Sequence, residues 1–329
     1  MGIKNLTSLI KSKSPDSIKT EGLYTLKDKT IAVDASILIY KSLSNVRNGQ
    51  SYLTNKEGKI VSHILGLFYK VILFKSFNIN PIFVFDGKPP EEKKQVLIER
   101  NKKVTESKAL MEQTENIEEK QKLEKSTIRI NQGHIEDLKK LFDLMGVQYV
   151  HPNCEAETYA SYLCKEKIAY GVYSEDMDTL AFGSPYLIRN CIDRSIKRKD
   201  VVSVFCLDKI LQDFNMTYEQ FVEVCILCGC DYCGTIPKIG SVRAYQSIQK
   251  YQSSDKFFPT IDPNILPDNY IEQFNKAKSL FINYHFNNFE IMNINNNGDQ
   301  DKLVSFLVDE CNMSMNRVQN ALKKINKLI

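Results

Sequence analysis

The chain has 329 residues, 43% of them hydrophobic and 26% charged, enough to bury a large core as one large domain or two smaller ones. No apolar run approaches the roughly 20 residues needed to span a bilayer. The start, Met1-Gly2-Ile3-Lys4-Asn5-Leu6, has neither the apolar core of a signal peptide nor the hydroxyl residue that myristoylation needs at position 6. Nine cysteines without a sign of export fit a reducing compartment and free thiols. The net charge is only +4, but seven acids singled out below are set apart by position, and without them the excess of bases rises to eleven. Such a surface suits a polyanion around an acidic hole suited to metal.

In chain order, the apolar run Ile31-Ala32-Val33 ends in Asp34, and Tyr40 falls on the helix expected after it. Residues Ser62 to Phe77, which include Lys70, have helical periodicity, and Ile82-Phe83-Val84-Phe85 then ends in Asp86. This is a strand–helix–strand unit, which gives a parallel sheet with a right-handed crossover. Residues 91–132 change character: Glu, Lys and Gln dominate, and no Pro or Gly interrupts them. They read as a solvated helix or a disordered linker, or else as a helical insertion that orders around a substrate. Periodicity returns at His134, leading to a strand at Val147–Val150, and Glu155 and Glu157 follow on a helix that starts near Asn153. Strands are expected around 169–173, followed by Asp176 and Asp178, and around 185–191. Residues 206–329 read as mostly helical, with a polar loop at Asn295 to Gln300. The chain is accordingly divided into a core at 1–205 and a helical part at 206–329, packed as one continuous unit.

Most of the apolar runs that end in acids look like buried parallel strands, which are continuously apolar. Ligand crevices of open α/β sheets lie at the carboxyl ends of strands, so Asp34, Asp86, Glu155, Glu157, Asp176, Asp178 and Asp231, which follows Val224-Cys225-Ile226-Leu227, are expected to converge. Seven carboxylates without cations would repel one another and some would take up protons. Hard oxygen ligands suit Mg²⁺ or Mn²⁺. Cys225, Cys228, Cys230 and Cys233 invite a zinc or iron–sulfur reading, but their spacing is tighter than the usual two-knuckle zinc pattern. Cys225 and Cys228 also fit the buried face of an apolar helix. Between Gly229 and Gly240, Ile-Pro-x-Ile-Gly reads as a tight connection of two helices whose second N-terminus offers N–H groups to an anion such as phosphate.

Six motifs, in order and at similar spacing, resemble the flap endonucleases: Met1-Gly2-Ile3-x-x-Leu6, Val33-Asp34-Ala35-Ser36, Phe85-Asp86-Gly87-Lys88-Pro89-Pro90, Glu155-Ala156-Glu157, Glu175-Asp176-Met177-Asp178 and Gly229-x-Asp231-Tyr232. The resemblance implies an α/β nuclease with a largely parallel central sheet, a helical arch at about 91–132 and a C-terminal helix–two-turn–helix region. It would cut 5′ flaps near the junction of single strand and duplex, in replication and repair, leaving a 5′-phosphate and a 3′-hydroxyl. Two Mg²⁺ per site are implied, with Mn²⁺ able to substitute: Asp34, Asp86, Glu155 and Glu157 around one, Asp176, Asp178 and Asp231 around the other, partly through water. A pair of such cations can supply hydroxide and stabilise the leaving oxygen. Lys93 and Arg100, seven residues apart and so expected on one helical face, would reach the scissile phosphate. Tyr40 would stack on a base, Gly2 would lie near the DNA backbone, and Arg47, Lys70, Gly229, Lys238, Gly240 and Arg243 would contact the duplex.

The chain departs from the family in three places. Cys230 stands where relatives commonly have Ser, and a thiol is a poor ligand for a hard cation, which puts the family's K⁺ site in question. Lys238 replaces a usual Gly. Gln319-Asn320-Ala321-Leu322-Lys323-Lys324-Ile325-Asn326 has the first half of a sliding-clamp box but neither aromatic residue, so flap cleavage is expected to be independent of a clamp. The resemblance further implies a monomer in the nucleus, although no nuclear-localisation tail is present. A 5′→3′ exonuclease of the same superfamily and a non-catalytic DNA-binding module are the competing readings; the second would not need the seven acids.

Overall fold

The computed structural model of the protein describes residues 2–48, 51–193, 195–284 and 298–326. Its strands form mixed, mostly parallel sheet flanked by helices, as expected for the α/β class. Packing groups the chain into two units that interleave along the sequence: Met1–Thr25, Lys88–Val96 and Glu157–Phe289 in one, and Leu26–Gly87, Leu97–Ala156 and Glu290–Ile329 in the other. The sequence division at 205 followed a change in composition. The packing instead places the first helix, Leu6–Lys13, in the same core as the helices beyond 206: Leu6 and Ile10 belong to one buried cluster with Phe221 and Phe274.

In the unit that begins at Leu26, three parallel strands stand in the order Thr30–Asp34, Asn80–Val84, Gln148–Val150. Asp34 pairs in register with Val84, and Val84 with Val150, so these strands end at one level. Ile31, Ala32, Val33, Ile82, Phe83 and Val84 are all buried, which is why the runs read as apolar throughout rather than alternating. Helices Ala35–Asn45, Ser62–Lys75 and Gln132–Met145 cover this sheet, and Phe83 stacks on Phe142 with ring centroids 4.3 Å apart. Gly146 ends the last of these helices at φ 60°, a left-handed cap that returns the chain to the strand. The charged stretch is helical: Lys94–Gln113 buries none of its residues, and Ile117–Thr127 starts at Asn116, whose side chain accepts from the Glu118 and Glu119 N–H groups.

The other unit holds four strands in the order Ile18–Gly22, Val201–Cys206, Tyr186–Asn190, Gly171–Tyr173. The last two are parallel and were expected; the first two pair antiparallel. Ile18–Gly22 is an edge strand of mostly polar residues, which leaves no apolar run to read. The run Val224–Leu227 is not one of the strands, as the mostly helical reading beyond 206 expects. It belongs to the helix Tyr218–Cys228, opened by a capping box between Thr217 and Gln220. Every residue from Phe221 to Cys228 is buried, and an element buried on all sides has no period to separate helix from strand. Cys225, Cys228, Cys230 and Cys233 are buried and free, burial pushes their thiols up, and they form no metal-ligating group among the described residues. Of the expected polar loop, Asn295 to Asn297 lie outside the described residues, and Gln300 opens the helix Gln300–Ser305.

One buried acid ties the helices of this unit together. Glu223 accepts from the Ser254 N–H and hydroxyl, both at 2.9 Å, and from Lys278 Nζ at 2.7 Å. Replacing one partner of such a buried pair leaves the others unmatched. Glu223→Ala is therefore expected to lower unfolding free energy by about 3 kcal/mol, measured by urea denaturation; a loss below about 1 kcal/mol, the ordinary range for an exposed pair, would refute it.

Candidate functional site

Four of the seven acids lie in the unit that begins at Met1. Strand Gly171–Tyr173 runs out into Ser174-Glu175-Asp176-Met177 and then the short helix Asp178–Ala181. The turn is fixed from within: Ser174 Oγ accepts from the Asp176 N–H at 3.0 Å, and Asp176 Oδ1 accepts from the Asp178 N–H at 3.1 Å. Glu157 sits in the first turn of helix Ala156–Lys165, where a negative charge is favoured by the helix dipole. One carboxylate oxygen from each of Glu157, Asp176 and Asp178 lies within 4.8 Å of the others. Asp178 is fully buried and Glu157 is buried. Asp231 joins this group through Lys93, whose Nζ is 3.1 Å from Asp231 Oδ2 and 3.7 Å from Glu157 Oε1, and 5.8 Å from the centre of the Tyr232 ring.

Burial pushes the Asp176 carboxyl above the ordinary aspartate range and the Asp231 charge adds to this, while the Asp178 N–H and Lys93 oppose it. Buried, hard oxygen donors held this close, with a carboxyl already driven towards protonation, form a donor set that fits a divalent cation. Gly2 lies against the same loop at φ 73°, and a Cβ there would collide with the Asp176 and Asp178 carboxylates. The glycine is thus required by its closeness to these acids, on top of its left-handed backbone.

The other three acids lie in the unit that begins at Leu26. Asp34 ends its strand and caps the next helix, Oδ1 accepting from the Ile37 N–H at 3.1 Å. Asp86 Oδ1 accepts from the Ala156 N–H at 2.8 Å, and the Asp86 carbonyl is 2.9 Å from His151 Nε2. The Gly87 N–H donates to the Cys154 carbonyl at 2.8 Å, and a Cβ on Gly87 would collide with the Pro152 carbonyl. These contacts fix the Asp86 segment against the start of the helix that follows Glu155, which is itself buried.

The two expected phosphate-reaching cations are placed differently from each other. Lys93 ends the 3₁₀ turn Glu91–Lys93 and is 6% exposed, among carboxylates. Arg100 lies in the following helix and is exposed. Arg129 Nη2 donates to Asn101 Oδ1 at 3.0 Å beside Arg100.

The remaining expected contacts are scattered. Tyr40 is part-exposed, and its hydroxyl donates to the Lys125 carbonyl at 3.2 Å, which links its helix to Ile117–Thr127. The Lys70 Nζ lies 4.8 Å from the centre of the Phe74 ring. The backbone of Arg47 is in the strand Arg47–Asn48; its side chain lies outside the described residues. Gly229 ends its helix at φ 92° and its carbonyl accepts from the Lys4 N–H at 3.0 Å. Lys238 adopts φ 67°, the left-handed conformation for which glycine is the usual residue, and its carbonyl accepts from Arg243 Nη1 at 2.9 Å. Gly240 is the N-cap of helix Ser241–Tyr251, and a Cβ there would touch nothing within 4 Å. Cys230 donates its N–H to the Cys233 carbonyl at 3.0 Å, and its thiol is buried and held neutral.

The XPG N-terminal domain matches residues 1–107 and the XPG I-region matches residues 146–231. Flap endonuclease 1 of Danio rerio is 36% identical over 331 residues, 99% of this chain and 87% of the relative. That of Glycine max is 38% identical over 333 residues, 99% and 86% of the two. Among solved structures, the flap endonuclease-1 of Methanococcus jannaschii superposes with a TM-score of 0.71 at 26% identity, covering 95% of this chain and 96% of that one. The catalytic core of Rad2 in complex with a DNA substrate, at 21% identity, shares the fold with a TM-score of 0.73, over 98% of this chain and all of that one.

The raised Asp176 carboxyl gives a pH signature. A carboxyl with a higher pKa in the fold than in the unfolded chain favours the fold below its unfolded pKa, and that contribution is lost as pH rises through the folded pKa. In EDTA, Asp176→Asn should therefore melt close to wild type near pH 4 and above it near pH 7.5. With excess Mg²⁺ at pH 7.5 the order should reverse, because the metal stabilises the ionised wild type. Thermal melts of both proteins across that range check this, and a difference independent of pH would refute it.

Proposed function

The chain belongs to the flap endonuclease family, a structure-specific 5′ nuclease of replication and repair, and from that premise we propose how its residues do the work. The observation that carries the reading is the buried cluster of Glu157, Asp176 and Asp178 with Lys93 beside it. We assign these acids and Asp231 to divalent metal, Mg²⁺ in the cell with Mn²⁺ as a substitute, and we assign Asp34, Asp86 and Glu155 to the same chemistry. Two such ions, when bound, supply a hydroxide nucleophile and charge stabilisation at the leaving oxygen. Lys93 lies in ion-pair reach of Asp231 and Glu157, so it can turn from carboxylate to phosphoryl oxygen as negative charge develops there. Arg100, exposed on the charged helix, makes a phosphate contact of the ordinary screened kind.

The substrate in this reading is 5′-flap DNA. Gly240 leaves a helix N-terminus uncovered, Lys238 and Arg243 flank it, and together they offer a phosphate site on duplex DNA. We assign Tyr40 to stacking on a base, Gly2 to the DNA backbone, and Arg47, Lys70 and Gly229 to duplex contacts. The neutral, buried Cys230 thiol supports duplex binding that is insensitive to K⁺. Helix Met315–Asn326 buries Leu322, the apolar residue of the half clamp box, in its own unit, which supports action without a sliding clamp through that segment.

Cleavage of a labelled double-flap DNA should release the flap as one oligonucleotide in Mg²⁺ and nothing in EDTA; a ladder of mononucleotides would identify an exonuclease instead. Asp178→Ala and Asp34→Ala should each abolish cleavage and keep DNA binding in Ca²⁺, since affinity comes mainly from Lys and Arg on phosphates. Retained cleavage within about tenfold of wild type, about 1.4 kcal/mol of barrier, would remove the assignment.

The contrasting positions of Lys93 and Arg100 give separate expectations. Lys93→Ala should slow single-turnover cleavage by about 10²–10³ with DNA affinity nearly kept. Arg100→Ala should weaken binding in a salt-dependent way and slow the chemical step less. Equal effects of the two on the single-turnover rate would show that both act on the reacting phosphate.

A further inference from the structure

The geometry points to Arg189, with Glu175 as its partner, as the positioning pair that holds the Asp176–Asp178 loop in its metal-binding form; this rests on the metal reading above. Arg189 follows Ile188, which pairs with Tyr173 on the neighbouring parallel strand, so it lies level with the point where the chain leaves the sheet for the acidic loop. Its guanidinium grips that loop on both sides of Asp176. Nη2 donates to Glu175 Oε2 at 3.3 Å, and Nη1 contacts Met177 Sδ at 3.1 Å and donates to Thr7 Oγ1 at 3.1 Å. The other Glu175 oxygen, Oε1, accepts from the Asn190 N–H at 3.2 Å. The Ser174 N–H adds a bond to the Ile188 carbonyl at 3.1 Å.

Glu175 and Met177 thus have their side chains engaged by the Tyr186–Asn190 strand and helix Leu6–Lys13, while Asp176 and Asp178 carry the oxygens that meet Glu157. Alternate residues of the loop serve opposite purposes. Glu175 is an acid of the motif with a structural use: its carboxylate is held by a strand N–H and an arginine, so it is an anchor and its neighbours are the ligands. The planar fork meets Glu175 with one nitrogen and Met177 and Thr7 with the other, a span that the single nitrogen of an ammonium does not offer. Arg189 is part-buried, and its guanidinium lies 5.9 Å from the centre of the Phe205 ring, which fixes the plane of the fork.

Partners that orient metal ligands are typically worth about 10–100-fold in metal affinity or activity. The test is Mn²⁺ titration of Arg189→Gln, Arg189→Lys and Glu175→Gln, read by calorimetry without DNA and by the metal-induced shift in melting temperature, beside the Mg²⁺ midpoint for flap cleavage. The expected result is a tenfold or larger rise in the metal midpoint for Arg189→Gln, a rise for Arg189→Lys as well, and recovery of cleavage at high Mg²⁺. The Arg189→Gln, Glu175→Gln double variant should be no worse than Arg189→Gln, because the two act as one device. If Arg189→Gln does not fold, Arg189→Lys decides. A lowered melting temperature with an unchanged metal midpoint would overturn the inference and leave Arg189 as ordinary packing. Failure of wild type itself to bind Mn²⁺ would instead overturn the metal reading of the acids.

Discussion

Like charges buried together are the constraint around which the unit that begins at Met1 is built. Glu157, Asp176 and Asp178 bring their oxygens within 4.8 Å in a place where water is scarce, and Asp231 adds its charge to them. Left alone, such a group lowers its energy by taking up protons or by moving apart. Here moving apart is opposed by the fold: Asp178 opens a helix, Glu157 opens another, and Asp176 is held by hydrogen bonds within a short turn. What remains is partial neutralisation by Lys93 and an Asp176 carboxyl pushed above its ordinary range, and a divalent cation can relieve both.

The surroundings of the acids follow from holding that arrangement. Gly2 is a glycine because nothing larger fits against the two aspartates. Lys93, on the 3₁₀ turn Glu91–Lys93, has its ammonium among the acids, and Arg100 is exposed on the helix Lys94–Gln113. Asp34 and Asp86 each accept from a backbone N–H at the start of a helix, an arrangement that fixes the carboxylate.

Lys238 shows the family fold absorbing an unfavourable residue. A left-handed non-glycine costs about 1 kcal/mol or more, and here its carbonyl is held by Arg243. The neighbouring cysteine cluster is likewise a matter of packing: all four thiols are buried around the end of one helix, where a small apolar side chain suffices.

The sequence by itself determined the α/β class, the parallel strands that end in acids and the motif series, because strands buried on both faces read as continuous apolar runs and the acids after them recur in a fixed order of motifs. It determined the helical character of the 94–127 stretch only as one of several readings, since a helix that buries nothing has no period to show. The tertiary structure alone decided that a polar edge strand at Ile18–Gly22 pairs with Val201–Cys206, and that Lys93 is buried among carboxylates. It also decided the use of Glu175. The three acids of Glu175-Asp176-Met177-Asp178 look alike on paper; which of them bind and which anchors depends on an arginine fourteen residues from Glu175 that only the strand pairing brings alongside.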